Sequence, residues 1–467
     1  MGVDRRSFLF GAGTALAASG ATVITQSHFL SDRRGLPNGI DLRDFGVDLS
    51  GRHGSTSGFQ RAVNECAGSG RPLLIPEGTL VLDEPVLVTQ SIRIVGTGVT
   101  PALDATTETQ SSRGKGSWLH IAHNGKGIVV KPPTSFIYGA EISGIGTFRS
   151  QPSPKGRALF SPLDCDFDFE VVNASVLFDV FVANATKGIR LFNAGESNLR
   201  RVRGQPLTVG VQVDCAYDTI RFGDVHLWPW WSQAPGVRDY MLNSSTGVYL
   251  KRCDNPKFRN YFSIYRKYGL RIGHFQGDKG LPPGTTYKLE GHFEADIGIY
   301  GLYVDPETDG FTATLSNPLI QSTIARQETP TIPIFVKGSN ARIDIDQAAL
   351  TNAGANAVRV EGSNSIVSIS HARVEHWDRA KVGHAAFAVT DGAAKSGSKI
   401  RIGAGDYQGE SPVFGAGVGA TEAVVPLADS PSALRGLTIE APDDSRLTFR
   451  LRGRDNKVRS GSLKLEL

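Results

Sequence analysis

The sequence is poor in residues that staple a chain or hold a metal. Four cysteines, Cys66, Cys165, Cys215 and Cys253, are spread through 467 residues with no CxxC pair. That spacing argues against a zinc site and leaves buried free thiols as the reading. His371, His376 and His384 lie five and eight residues apart, which does not match a zinc-binding helix, and they read as surface residues. Charge of one sign is also missing. Charged residues make up 21% and the formal net charge is +4, no nucleic-acid signature. No cofactor or metal is expected, and the sequence leaves a calcium requirement open.

Glycine and proline are plentiful instead, at 54 and 24 residues, which fits a chain that turns every few residues. From Gly188 to Val389 one phrase keeps returning: a small residue, then three or four positions of apolar alternation, a polar turn and a second alternation. It begins at Gly188, Gly210, Gly247, Gly269, Gly298, Pro333, Ala357 and Ala385, at intervals of 22 to 37 residues. Period-two alternation makes these units strands. Each is too short to bury its own apolar face and must stack on its neighbours. Parallel strands stacked about 4.8 Å apart, one coil per unit, make an all-β solenoid, a parallel β-helix.

Met1 to Gln26 stands apart from that pattern. Asp4-Arg5-Arg6-Ser7-Phe8-Leu9 precedes a mildly apolar, Gly-rich run from Phe8 to Ile24, too weak for a comfortable membrane span. It resembles a twin-arginine export signal. The resemblance implies a periplasmic or extracellular protein, exported by the twin-arginine pathway, with no stable membrane insertion after export.

The β-helix is expected over residues 38–410, with terminal coils or a small β cap over 411–467. Ser57 to Ala67 has helical spacing at Phe59, Ala62, Val63 and Cys66, with Ser57 as N-cap. A helix there would cover the open first coil. Pro101 to Gly116 and Arg149 to Arg157 read as exposed loops. Asp44-Phe45-Gly46, the helix, Ile75-Pro76-Glu77-Gly78 and Ile94-Val95-Gly96-Thr97-Gly98 resemble the opening module of the pectate lyase superfamily, of the rhamnogalacturonase and epimerase-like type. The resemblance covers about residues 40 to 100 and implies a right-handed parallel β-helix with an N-terminal capping helix. The family's Asp-Gly-x-x-Asp-Asp segment is absent after Gly46, and so are the hydrolase motifs Asn-Thr-Asp, Asp-Asp and Gly-His-Gly. The superfamily holds lyases, hydrolases, epimerase-like proteins and tailspikes, so the module speaks for fold more than reaction.

Alternation predicts which side chains leave the coil. With Val225 and Leu227 inward, Asp224, His226 and Trp228 face out. With Phe262 and Ile264 inward, Arg259, Tyr261 and Tyr265 face out. With Leu289 and Phe293 inward, Lys288, Glu290, His292 and Glu294 face out. A later rung offers Arg373 and Glu375, with Trp377 nearby. Trp228, Trp230 and Trp231 would suit sugar rings, and the basic residues between Lys251 and Arg271 would suit acidic groups on them. The alternative is that the tryptophans cover an irregular coil edge. Uronate β-elimination would take its base from His292, Tyr261 or Lys288, with Arg259 neutralising the carboxylate. Glycoside hydrolysis would pair Glu294 with Asp224 or Glu290.

The reading is an exported protein that cleaves an acidic polysaccharide, as a lyase or a glycoside hydrolase. Its expected catalytic residues are Glu294, His292, Asp224, Arg259 and Tyr261. Trp228, Trp230, Trp231, Tyr265, Lys288, Arg373 and Glu375 are expected to bind substrate. The competing class is a non-catalytic polysaccharide-binding or structural β-helix, of tailspike-like or adhesin-like kind. Further copies of the chain, as a trimer, would cover the terminal strand; nucleic acid is not an expected partner.

Overall fold

The computed structural model describes residues 38–100, 114–133, 137–151, 163–323, 330–409 and 411–415, with the backbone of four later strands between 421 and 464. The stretch from Met1 to Gln26 and most of the two expected loops lie outside the described residues. The β-helix belongs to the unit Ile40–Leu467.

The repeated phrase forms one continuous parallel sheet of eleven strands, running in chain order from Val86–Val88 to Phe387–Val389. Its core columns are unbroken. Phe167, Ile189, Val211, Val248, Leu270, Leu302, Ile334, Val358 and Phe387 follow one another in register. All are buried. The second half of each coil joins a larger sheet, which closes the coil into a right-handed parallel β-helix. Burying one such side chain contributes about 1.5–3 kcal/mol, and only stacking supplies the burial.

The leading glycines have a steric cause. Gly188, Gly210, Gly247 and Gly269 are in register on successive coils. They line the inner corner where the two sheets meet. A β-carbon on Gly269 would lie 2.7 Å from the side chain of Ala295 on the facing sheet and 2.8 Å from the carbonyl of Gly301 on the next coil. In the coil before Gly188 the same column holds Asp166. There the corner is filled by an ion pair, Arg149 Nε to Asp166 Oδ1 at 2.6 Å, with both side chains wholly buried.

Helix α1, Thr56–Cys66, buries Phe59, Ala62, Val63 and Cys66 against the first coils, the stripe expected from sequence. Its N-cap position is Ser55, two residues before the expected Ser57, which lies inside the helix. Ser55 precedes the helix, and its hydroxyl accepts the N–H of Asp48 at 2.9 Å rather than capping α1. At the other end Thr421–Val425 pairs parallel with Lys399–Gln408. Leu437–Asp443, Arg446–Arg452 and Val458–Lys464 then follow as an antiparallel meander. All four cysteines are buried and unpaired. No helix among the described residues is long and apolar enough to cross a membrane.

Candidate functional site

The site sits where the larger sheet bends. In the early coils each rung of this sheet is two short strands joined at a left-handed residue, such as Val176–Phe178 to Phe181–Val182 through Asp179. Asn198–Arg200 likewise joins Val202–Gly204 through Arg201. From Lys257 the two halves merge into continuous strands, Lys257–Ile264 and Leu289–Gly298. The bend survives as a β-bulge. Phe258 pairs with Gly291 and Tyr261 with Phe293, so Arg259 and Asn260 together face the single residue His292.

The bulge reverses the expected alternation. Arg259 and Asn260 both point to solvent, whereas Tyr261 turns inward and is wholly buried. Its hydroxyl donates to the carbonyl of Gly269 at 2.6 Å, and burial pushes its pKa far up. Tyr261 is therefore a core residue, and Phe262, expected inside, lies outside, stacked on His226 with ring centroids 4.6 Å apart.

Along the bend runs an open cleft of about 730 Å³. Arg200, Arg201, Arg221, Lys257 and Arg259 line it, against two carboxylates, Asp224 and Glu290. Register builds the strip: Asn198, Arg221, Lys257 and Glu290 are side by side on successive rungs. Arg200 and Arg201 each lie 5.6 Å from the ring of Phe178, which gives that end of the cleft an apolar floor. Arg201 is also tied to Asp179 at 3.2 Å. Lys257 is paired with Glu290. Among the described residues Arg200, Arg221 and Arg259 have no carboxylate partner, so the cleft presents uncompensated guanidinium groups. Such groups suit carboxylate or sulfate in bidentate geometry.

The groups able to move a proton stand beside the cleft. Asp224 lines it and lies 3.4 Å from the side-chain amide of Asn260. His292 is next to Gly291, another lining residue. The Nδ1 of His292 lies 3.1 Å from the carbonyl of Ser316. A carbonyl only accepts, so Nδ1 carries hydrogen and Nε2 of the neutral ring keeps its lone pair. That Nε2 lies 3.5 Å from Glu294. His226, on the column that runs through Phe262 to Glu294, completes the group. Burial lowers its pKa, opposed by the charges of Asp224 and Glu294 and assisted by Arg203.

The tryptophans divide. Trp230 packs edge-on against Phe181 at 6.1 Å and against Trp228 at 5.1 Å. Trp231 packs with Leu207, Val237 and Met241 under helix α2, Pro235–Ser244. Tyr265, expected to face substrate, packs in that same small cluster with Arg238 over its ring at 5.7 Å. The basic run between Lys251 and Arg271 is likewise dispersed around the coil. Lys251 pairs with Asp214 at 2.9 Å and Arg271 with Asp305 at 2.8 Å, both on the eleven-stranded sheet. Only Lys257 and Arg259 of that run reach the cleft.

Lys288 is exposed, its Nζ 5.5 Å from the ring of Tyr287. Arg373 and Glu375 form an ion pair at 2.5 Å, and neither lines the cleft. Trp377 is buried and donates to the carbonyl of Pro412 at 3.1 Å. Sequence reading passed over Arg200, Arg201, Arg221 and Asn260. Arg200 and Arg201 carried a signal, since the basic residues of Leu199-Arg200-Arg201-Val202-Arg203 lie one rung before Asp224.

No protein-family model matches the chain, and no curated protein matches it in sequence. Among solved structures it is similar to PfbA, a surface adhesin of Streptococcus pneumoniae, at 11% identity and a TM-score of 0.47, over 90% of this chain and 98% of that one. It is also similar to a tailspike of an Acinetobacter phage, at 11% identity and a TM-score of 0.47, over 92% of this chain and 82% of that one. The A-module of a mannuronan C-5 epimerase from Azotobacter vinelandii gives 11% identity and a TM-score of 0.40, over 82% of this chain and 99% of that one. Likeness at this level carries no argument about activity; the chain is an all-β, right-handed parallel β-helix.

Proposed function

We propose that the chain binds an acidic polysaccharide in the cleft along the bend and cleaves it by β-elimination. The observation that carries the reading is the bulge, which sets Arg259 and Asn260 opposite His292 at the edge of a cleft with uncompensated guanidinium groups. Arg259 takes the uronate carboxylate and makes the neighbouring C5 proton more acidic. His292 accepts that proton at Nε2. The freed electron pair forms the C4–C5 double bond while the C4–O bond breaks, and the departing oxygen takes a proton from solvent water. The products are an unsaturated uronate on one fragment and a new reducing end on the other. Glu294 stabilises the imidazolium that forms.

Membership of the pectate lyase superfamily, export through a twin-arginine signal and a periplasmic or extracellular location belong to the same proposal, as does a trimer. A second reading is binding without cleavage. It is favoured because both lining carboxylates are engaged, Asp224 beside Asn260 and Glu290 with Lys257. The deciding assay is a panel of polyuronates and bacterial exopolysaccharides, followed by ultraviolet absorbance and by new reducing ends. Both signals together support elimination. Reducing ends without absorbance move the reading to hydrolysis, and binding with neither signal moves it to the non-catalytic class.

A further inference from the structure

Among the described residues two arginines are wholly buried, Arg149 and Arg266, and their surroundings differ. Arg149 is satisfied on every side. Its Nε meets Asp166 at 2.6 Å, Nη1 donates to the carbonyl of His123 at 2.8 Å, and Nη2 donates to that of Gly125 at 2.9 Å. Arg266 has one partner, the carbonyl of Pro206, which takes a hydrogen from Nη1. Its Nε and Nη2 are buried and have none.

Among the described residues no carboxylate compensates this charge. The ionisable group that faces Arg266 is Tyr261, and burial keeps that phenol protonated. Burial lowers the guanidinium pKa to about 10, which still leaves it charged at neutral pH. An uncompensated buried charge with two idle donors is costly. Water would satisfy the donors and leave the charge; an anion answers both.

The surroundings limit the size of that anion. Arg266 is 1% exposed. The next residue, Lys267, donates its backbone N–H to Met241 of helix α2 at 3.3 Å. Leu207, next to the Pro206 acceptor, packs on Val237 and Met241 of the same helix. An arginine this deeply buried is out of reach of a sugar acid, which limits the anion to a single atom.

We propose that Arg266 holds a small halide ion, chloride or bromide, inside the turn beneath helix α2. The site is independent of the cleft: it shares no residue with it, and its role is to complete the coil that carries the inserted helix.

The test is thermal unfolding of the full chain in sodium chloride, sodium bromide and sodium gluconate at equal ionic strength, with an anomalous map from bromide-grown crystals. The expected result is a Tm higher by roughly 2 °C or more in either halide than in gluconate. Arg266→Met should abolish that difference, and a bromide peak should lie within hydrogen-bond distance of the guanidinium. Equal Tm values in all three salts would overturn the proposal. So would a halide effect that survives in Arg266→Met, or a map with no bromide at Arg266. Should Arg266→Met fail to fold, the salt comparison and the map on the unaltered chain decide between these outcomes.

Discussion

The hydroxyl of Tyr261 occupies the space that a side chain on Gly247 would need, and it donates to the carbonyl of Gly269 on the following coil. A residue on one sheet thus fills a gap left by a glycine on the other. Tyr261→Phe should cost about 1 kcal/mol, the worth of one buried hydrogen bond, and leave glycan binding and cleavage unchanged. Gly247→Ala should cost more, because the added methyl meets both the hydroxyl and the Gly269 carbonyl. Tyr261→Phe in that background should recover part of the loss. Denaturant midpoints of the three variants check the stabilities, and a tenfold fall in activity with Tyr261→Phe would return the phenol to the reaction.

Arg221 and Arg259 should dominate glycan capture, since neither has a carboxylate partner among the described residues. Replacing either by Ala should weaken binding to a polyuronate about tenfold, with the loss shrinking as salt rises. Arg373→Ala is the control. It breaks an ion pair with Glu375 outside the cleft, and its affinity should match the unaltered chain in calorimetric titration.

If elimination is the chemistry, His292→Ala should lower kcat by roughly 10²–10⁴ and change KM little. Glu294→Gln should lower it less, because the carboxylate acts through the imidazole. Steady-state rates of unsaturated-uronate formation distinguish the two. Equal activity in His292→Ala would rule out His292 as the base.

The fold was legible because its cause is local and repeated. Each small residue followed by apolar alternation marks a strand of the eleven-stranded sheet, and an inner corner explains why that residue is so often glycine. The site was harder to read at one place. Period-two counting through Lys257–Ile264 assumes an unbroken strand, and the extra residue at Arg259–Asn260 shifts every side chain after it. Tyr261 and Phe262 exchanged faces for that reason alone. Helix α2 was also not anticipated, and with it the cover over Trp231 and Tyr265. A tryptophan under an inserted helix and one on a groove look alike until the insertion's path is known.

His123 and His226 should make the fold weaken in mild acid. Burial lowers both pKa values, His123 with help from Arg149 and His226 with help from Arg203. The unfolded chain therefore takes up protons that the folded one resists. Their contribution is complete above the unfolded value near 6.5 and is lost as pH falls through the folded values. His226→Gln should flatten the fall in unfolding free energy between about pH 7 and 5, measured against the unaltered chain.

Arg149→Met should destabilise the chain by about 3–5 kcal/mol, because Asp166 would keep a buried charge without its partner. Replacing Asp166 by Leu in the same chain should restore much of that loss. A double-mutant cycle on unfolding free energies reads the coupling, and additive single effects would show that the pair does not act as a unit.

The glycine column also bears on how such a chain can lengthen or shorten. Gly188 to Gly210 and Gly247 to Gly269 each span 22 residues, while Gly210 to Gly247 spans 37 and carries helix α2. All four remain in register. The insertion is therefore absorbed in the turn that leads into Gly247, and the inner seam is blind to it. For modular engineering this makes the seam a splice point. A segment excised or duplicated from one seam glycine to the next returns the chain to the same corner, whatever decoration the lost or added coil had carried.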